Sequence, residues 1–200
     1  MKSPFFVFVA AIALAGCAAT PPANAGPQDR FFAALGQFCG KAFAGKLVTS
    51  DAADADMAGK PMVMHVRTCT KDRIEIPFHV GGTGRDGGWD RSRTWVITRT
   101  DNGLRLKHDH RHKDGSADTL TMYGGDTVGQ GTAELQVFPV DGESIALFIA
   151  NDRRVSTTNI WSVEVTATRF AYQLRRAGRH FQVDFDLSHP VPAPPAPWGW

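Results

Sequence analysis

The stretch that decides the fold is Phe170-Ala-Tyr172-Gln-Leu174-Arg-Arg-Ala177-Gly178-Arg-His-Phe181-Gln-Val183-Asp-Phe185-Asp186. Apolar side chains recur at every second residue on both sides of Ala177-Gly178, which is the period of a β-strand. With Ala177-Gly178 as a two-residue turn, Phe170, Tyr172 and Leu174 face Phe185, Val183 and Phe181. All six then share one face, while Arg169, Gln173, Arg175, Gln182, Asp184 and Asp186 share the other. A slip of one residue would turn every apolar group to water, so this register is strongly specified. The hairpin is one wall with an apolar inside and a polar outside.

Outward from this hairpin the same period dominates. Residues 62–68 and 74–80 set Met62, Met64 and Val66 opposite Phe78, Ile76 and Ile74. Strands are predicted at 46–50, 61–68, 73–80, 93–100, 104–112, 118–123, 132–139, 144–150, 159–166, 169–175 and 180–187. Turn residues separate them at short intervals, as in an antiparallel barrel or sandwich. Helical spacing is confined to the start, where Phe31, Leu35 and Phe38 predict a helix over 28–38 that Gly40 ends. A short helix followed by about ten meandering strands is similar to the calycins, the lipocalin and fatty-acid-binding barrels. The segment Phe38-Cys-Gly-Lys-Ala-Phe-Ala-Gly-Lys-Leu-Val48 resembles the aromatic-and-glycine entry to their first strand. The expected fold is therefore all-β, a single antiparallel calycin-like barrel of about ten strands with a short N-terminal helix. The resemblance implies an interior that holds one small apolar ligand.

Composition excludes other classes. The chain has 200 residues, 42% hydrophobic and 21% charged, with a formal net charge of +2. It is too apolar for global disorder and too weakly charged for a broad nucleic-acid footprint. The length suits one core rather than two.

The two ends differ from the middle. Lys2 precedes an unbroken apolar run from Phe5 to Leu14, the length of a signal-peptide core and too short to span a bilayer. It ends in Leu14-Ala15-Gly16-Cys17, which resembles the lipobox of bacterial lipoprotein precursors. That resemblance implies a signal peptide over 1–16, lipidation of Cys17 and a membrane as partner through the lipid. Ala18 rather than aspartate follows the cysteine, which implies the outer membrane, facing the periplasm. The alternative is an ordinary secretory signal cut after Ala23-Asn24-Ala25. Residues 17–27 read as a tether, 28–189 as the barrel domain, and 190–200 as a loosely held proline-rich tail. With Cys17 lipidated, Cys39 and Cys69 remain. In an oxidising compartment they would form a disulfide; the alternative is two buried thiols.

One segment could carry chemistry: Leu104-Arg-Leu-Lys-His108-Asp-His110-Arg-His112-Lys-Asp-Gly-Ser-Ala-Asp118. Strand parity places Leu104, Leu106, His108, His110 and His112 on one face, and Arg105, Lys107, Asp109 and Arg111 on the other. The charged face must meet water, so the histidines point inward. A loop over 113–117 sets Asp118 opposite His112, Leu120 opposite His110 and Met122 opposite His108, with Tyr123 outward. An Asn102-Gly103 turn sets Trp95 beside His110. Three readings compete. The histidines bind a metal, with His108 and His110 as the ligand pair; His108 and His112, about 13 Å apart at about 3.3 Å per residue, cannot share one ion. Alternatively His108, His110, His112, Asp118 and Trp95 line a ligand pocket, with Asp118 orienting His112. In the third, the histidines pair with Asp114, Asp118 and Asp126 at a solvated rim.

A His–Asp pair also suits acid–base catalysis, but no nucleophile has supporting context. The run Gly81-Gly-Thr-Gly-Arg-Asp-Gly-Gly88 lacks the lysine and hydroxyl of a phosphate loop and reads as a strand connection. His65, His79 and His180 fall on outward faces. The expected function is that of an envelope-anchored lipoprotein binding a small, partly apolar ligand. A histidine-based enzyme and a structural lipoprotein are the alternatives. No cofactor is indicated.

Overall fold

A computed structural model describes residues 25–82 and 88–200. The signal segment, Cys17, and residues 83–87 of the glycine-rich run lie outside the described residues.

Helix α1 (Pro27–Gly36) opens the described chain, with a proline in its first turn. The strands follow in order: β1 (Ala42–Leu47), β2 (Met62–His65), β3 (Thr68–Cys69), β4 (Arg73–Gly81), β5 (Trp89–Thr100), β6 (Gly103–His110), β7 (Tyr123–Asp126), β8 (Leu135–Pro139), then helix α2 (Gly142–Ala150), β9 (Ile160–Val165), β10 (Arg169–Arg176) and β11 (Arg179–Val191). All pairings are antiparallel, in the order β7-β6-β5-β4-β2-β1-β11-β10-β9-β8, with the short β3 on β4. Apart from β3, which lies only on β4, and the β7–β8 seam, each strand neighbours the next in sequence, and β1 pairs with β11. The two ends of this path meet at a bridge between Gly125 and Val140 and a hydrogen bond from the Asp141 N–H to the Gly124 carbonyl. The result is a nearly closed ten-strand antiparallel barrel.

The deciding hairpin forms in the predicted register: Phe170 opposes Phe185, Tyr172 opposes Val183, and Leu174 opposes Phe181. Two other registers are shifted by two residues with their faces kept. Met62 opposes Val80 and Met64 opposes Phe78. Trp95 opposes His108 rather than His110, because the tight turn is Asp101-Asn102 and not Asn102-Gly103.

Aromatic rings fill the barrel. Trp95 stacks on Phe78 at 4.9 Å and on Tyr172 at 4.4 Å between centroids, with Phe170 and Phe185 around it. Helix α1 closes one end: Phe31, Phe32 and Leu35 are buried in the core, and Gln28 reaches Thr127 at 2.9 Å. Arg99 pairs with Asp29 and lies over the Phe32 ring. The Cys39–Cys69 disulfide ties the exit of α1 to β3.

Three expectations need correction. Residues 144–150 form most of helix α2 and not a strand. The Asp141 side chain caps the helix by accepting from the Ser144 N–H at 2.8 Å, and Ser144 and Phe148, four apart, are its buried residues. Of 118–123, only Tyr123 belongs to a strand. The C-terminal tail is not loose. It lies against β4 and β5: the His79 Nε2–H donates to the Pro195 carbonyl at 2.9 Å, Arg91 donates to the Ala196 carbonyl, and the Trp198 N–H donates to the Arg91 carbonyl. His79, expected outside, is consequently fully buried.

Candidate functional site

At the barrel end opposite α1 a cavity of about 360 Å³ opens to solvent. Four groups of residues form it. The end of β6 and the segment after it contribute His110, Asp118 and Leu120. Tyr123 opens β7, and Phe148 comes from α2. The single 3-10 turn after α2 (Arg154–Thr158) and its flanks supply Arg153, Ser156 and Asn159. Strands β9 and β10 supply Trp161, Tyr172, Leu174 and Arg176. The base of the cavity is aromatic and its mouth is polar.

A hydrogen-bonded chain runs beneath it. His108 is buried, stacked on Tyr123 at 4.8 Å and beside Trp161 at 5.1 Å. Its Nδ1 lies 3.0 Å from the Tyr123 carbonyl and its Nε2 lies 2.7 Å from the Tyr172 hydroxyl. A carbonyl only accepts, so Nδ1 carries the proton, and Nε2 accepts from Tyr172. Burial holds this imidazole neutral, with its pKa pushed down to about 3. Burial also raises the Tyr172 hydroxyl well above its ordinary range. His110 Nε2 lies 3.1 Å from the Tyr123 hydroxyl. Burial and the neighbouring Arg93 guanidinium lower His110 to about 4, and burial raises Tyr123 to about 12.

The five residues expected to form a pocket separate into three groups. His110 and Asp118 line the cavity. His108 and Trp95 are buried behind it, Trp95 through its stack on Tyr172. His112 is exposed at the hairpin tip, where its N–H bonds the Ser116 carbonyl. Asp118 does not orient His112; its carboxylate accepts from the Leu120 N–H at 2.9 Å. The rim pairings make no direct hydrogen bond: Asp126 binds Arg105 and Asp114 binds Ser116, while Asp114 and His112 interact only through their charges. His108 cannot act as a metal ligand in this arrangement, because both ring nitrogens are engaged. Among the described residues no group of three or more His, Cys, Asp or Glu side chains is placed to hold a metal ion.

Tyr123 points inward, against expectation. Met122 takes a left-handed conformation at φ 55°, which reverses the alternation, so Met122 is exposed and Tyr123 meets the cavity. Strand parity had no means of finding that break. The inward face of Tyr172 was readable, but its position at the open end depends on the whole barrel. Comparisons of the chain with protein-family models, curated proteins and solved structures return no match.

Proposed function

We propose that this chain is a cell-envelope lipoprotein, tethered through lipid on Cys17, whose barrel binds a small, partly apolar ligand. The observation that carries the reading is the cavity itself: a concave aromatic base beside a few convergent polar groups. The Leu14-Ala15-Gly16-Cys17 lipobox supports the tether, and the Cys39–Cys69 disulfide accords with an oxidising compartment. Acid–base catalysis fits less well. The Tyr123–His110 pair titrates near 12 and 4, both far from a working point near neutrality.

Native mass spectrometry of the chain purified from a bacterial membrane fraction tests the ligand. A bound small molecule should accompany the wild type and be lost from Leu174→Trp, which fills the cavity. A wild type that carries nothing and binds none of a panel of small aromatic and aliphatic compounds overturns it. Metabolic labelling with a fatty acid tests the tether: label should depend on Cys17, and an unlabelled wild type rules the anchor out.

A further inference from the structure

The cavity's mouth carries two arginines, Arg153 and Arg176. Several arginines elsewhere meet carboxylates: Arg105 pairs with Asp126, Arg111 with Asp109, and Arg169 with Glu164 and Asp184. Arg179, near the same end, is bound by Asp51 and Asp54. Arg176, like Arg91 and Arg175, is held by a neutral oxygen instead, but it stands at the cavity's rim. Its Nη1 donates at 3.0 Å to Oδ1 of Asn159, a residue only 4% exposed. A neutral amide thus fixes the guanidinium in place and leaves its charge uncompensated. Arg153, on the same rim, is exposed. Among the described residues neither arginine has a carboxylate within ion-pair distance. The cavity's one carboxylate, Asp118, accepts the Leu120 N–H at 2.9 Å, and no ion pair joins it to Arg176 or Arg153.

Shape and charge together narrow the ligand. Trp161, Tyr172, Tyr123 and Phe148 give the cavity ring surfaces, which favour a flat π-system over a flexible chain. At about 360 Å³ the space lies near the lower limit for ligand pockets, which suits one or two fused rings. A pre-positioned guanidinium matches a carboxylate, whose two oxygens accept its parallel N–H groups.

We propose that the cavity takes a small planar aromatic carboxylate, its rings among Trp161, Tyr172 and Tyr123 and its charge on Arg176 and Arg153. The proposal rests on the ligand-binding reading above and adds the chemical class.

Calorimetric titration of the purified full chain with 2-naphthoate and with its neutral isostere 2-naphthamide separates the two. The carboxylate should bind at least about tenfold tighter than the amide. Arg176→Gln combined with Arg153→Gln should remove that preference by weakening the carboxylate far more than the amide. Leu174→Trp should abolish binding of both. Equal affinity of the wild type for the two probes overturns the anionic class while the ligand-binding reading stands. So does carboxylate binding that survives both the arginine substitutions and the filled cavity, since the anion then sits elsewhere. If neither probe binds, the aromatic class fails, and the reading beneath it falls only if native mass spectrometry also finds the cavity empty.

Discussion

At the scale of single residues, the buried imidazole of His108 has the clearest consequences. Its Nε2 accepts a hydrogen bond from the Tyr172 hydroxyl, and both residues are buried. Tyr172→Phe removes that donor and strands a buried acceptor, a loss of about 1–3 kcal/mol. Equilibrium urea unfolding should show it, and an unchanged midpoint would mean that the bond contributes nothing. The depressed titrations add a pH dependence with a definite sign. His108 and His110 protonate at about 3 and about 4 when folded, against about 6.5 in an unfolded chain. Between those values only the unfolded chain takes up the protons. Stability is therefore fully present above about pH 6.5 and declines as pH falls toward 4, by up to about 1.4 kcal/mol per pH unit for each histidine. Unfolding at pH 7.5 and pH 5 should differ by about 2–4 kcal/mol. The carboxylates with lowered titrations, such as Asp90 and Asp141, act below that window, so a flat profile down to pH 5 would contradict the histidine assignment.

At the scale of elements, parity was legible and register only partly so. Every apolar face read for β4, β5, β10 and β11 is the inward face, because alternation survives a slip of two residues. Absolute register depended on identifying the turn, and Asn-Gly drew attention from Asp101-Asn102. Helix α2 escaped notice because its apolar run, Ile-Ala-Leu-Phe-Ile, fits either period. The informative residues were Asp141 and Glu143 ahead of it, a capping aspartate and an acidic first turn. The tail escaped for another reason: its partners are outer-face groups of β4 and β5, which no local pattern marks as covered. Pro197 is buried, and three hydrogen bonds join the tail to His79 and Arg91. Truncation after Val191 should cost about 1–3 kcal/mol. It should also raise the His79 titration toward its ordinary value, since burial is what lowers it. Amide hydrogen exchange and histidine NMR would check both; an unmoved His79 would show that the tail does not cover it in solution.

At the scale of the whole molecule, the alternating faces and short turns made an antiparallel barrel readable, but the way it closes was not. It depends on a seam where β7 lies between β6 and the exit of β8. Gly124 and Gly125 occupy that seam without side chains. A Cβ on Gly125 would lie 1.8 Å from the Pro139 carbonyl oxygen, and one on Gly124 would lie 1.9 Å from the Leu106 carbonyl oxygen. Both obstacles are backbone, held in place by strand pairing and by the Lys107–Asp141 ion pair at 2.7 Å that crosses the same seam. Neither can yield by rotating a side chain. Gly125→Ala should therefore separate β7 from the exit of β8 rather than compress it, at a cost of about 2–4 kcal/mol, a strained cousin of overpacking. Because Tyr123 opens β7 and Phe148 follows in α2, the opened seam should also disturb the cavity they line. The expected signature is faster amide exchange in β6 to β9 with the β10–β11 hairpin unaffected. Gly129→Ala is the control, since a Cβ there meets nothing within 4 Å, and its stability should stay within about 0.5 kcal/mol of wild type. If both substitutions behave alike, the barrel tolerates a side chain at the seam, and closure must be assigned to the ion pair and the packing of α2 instead.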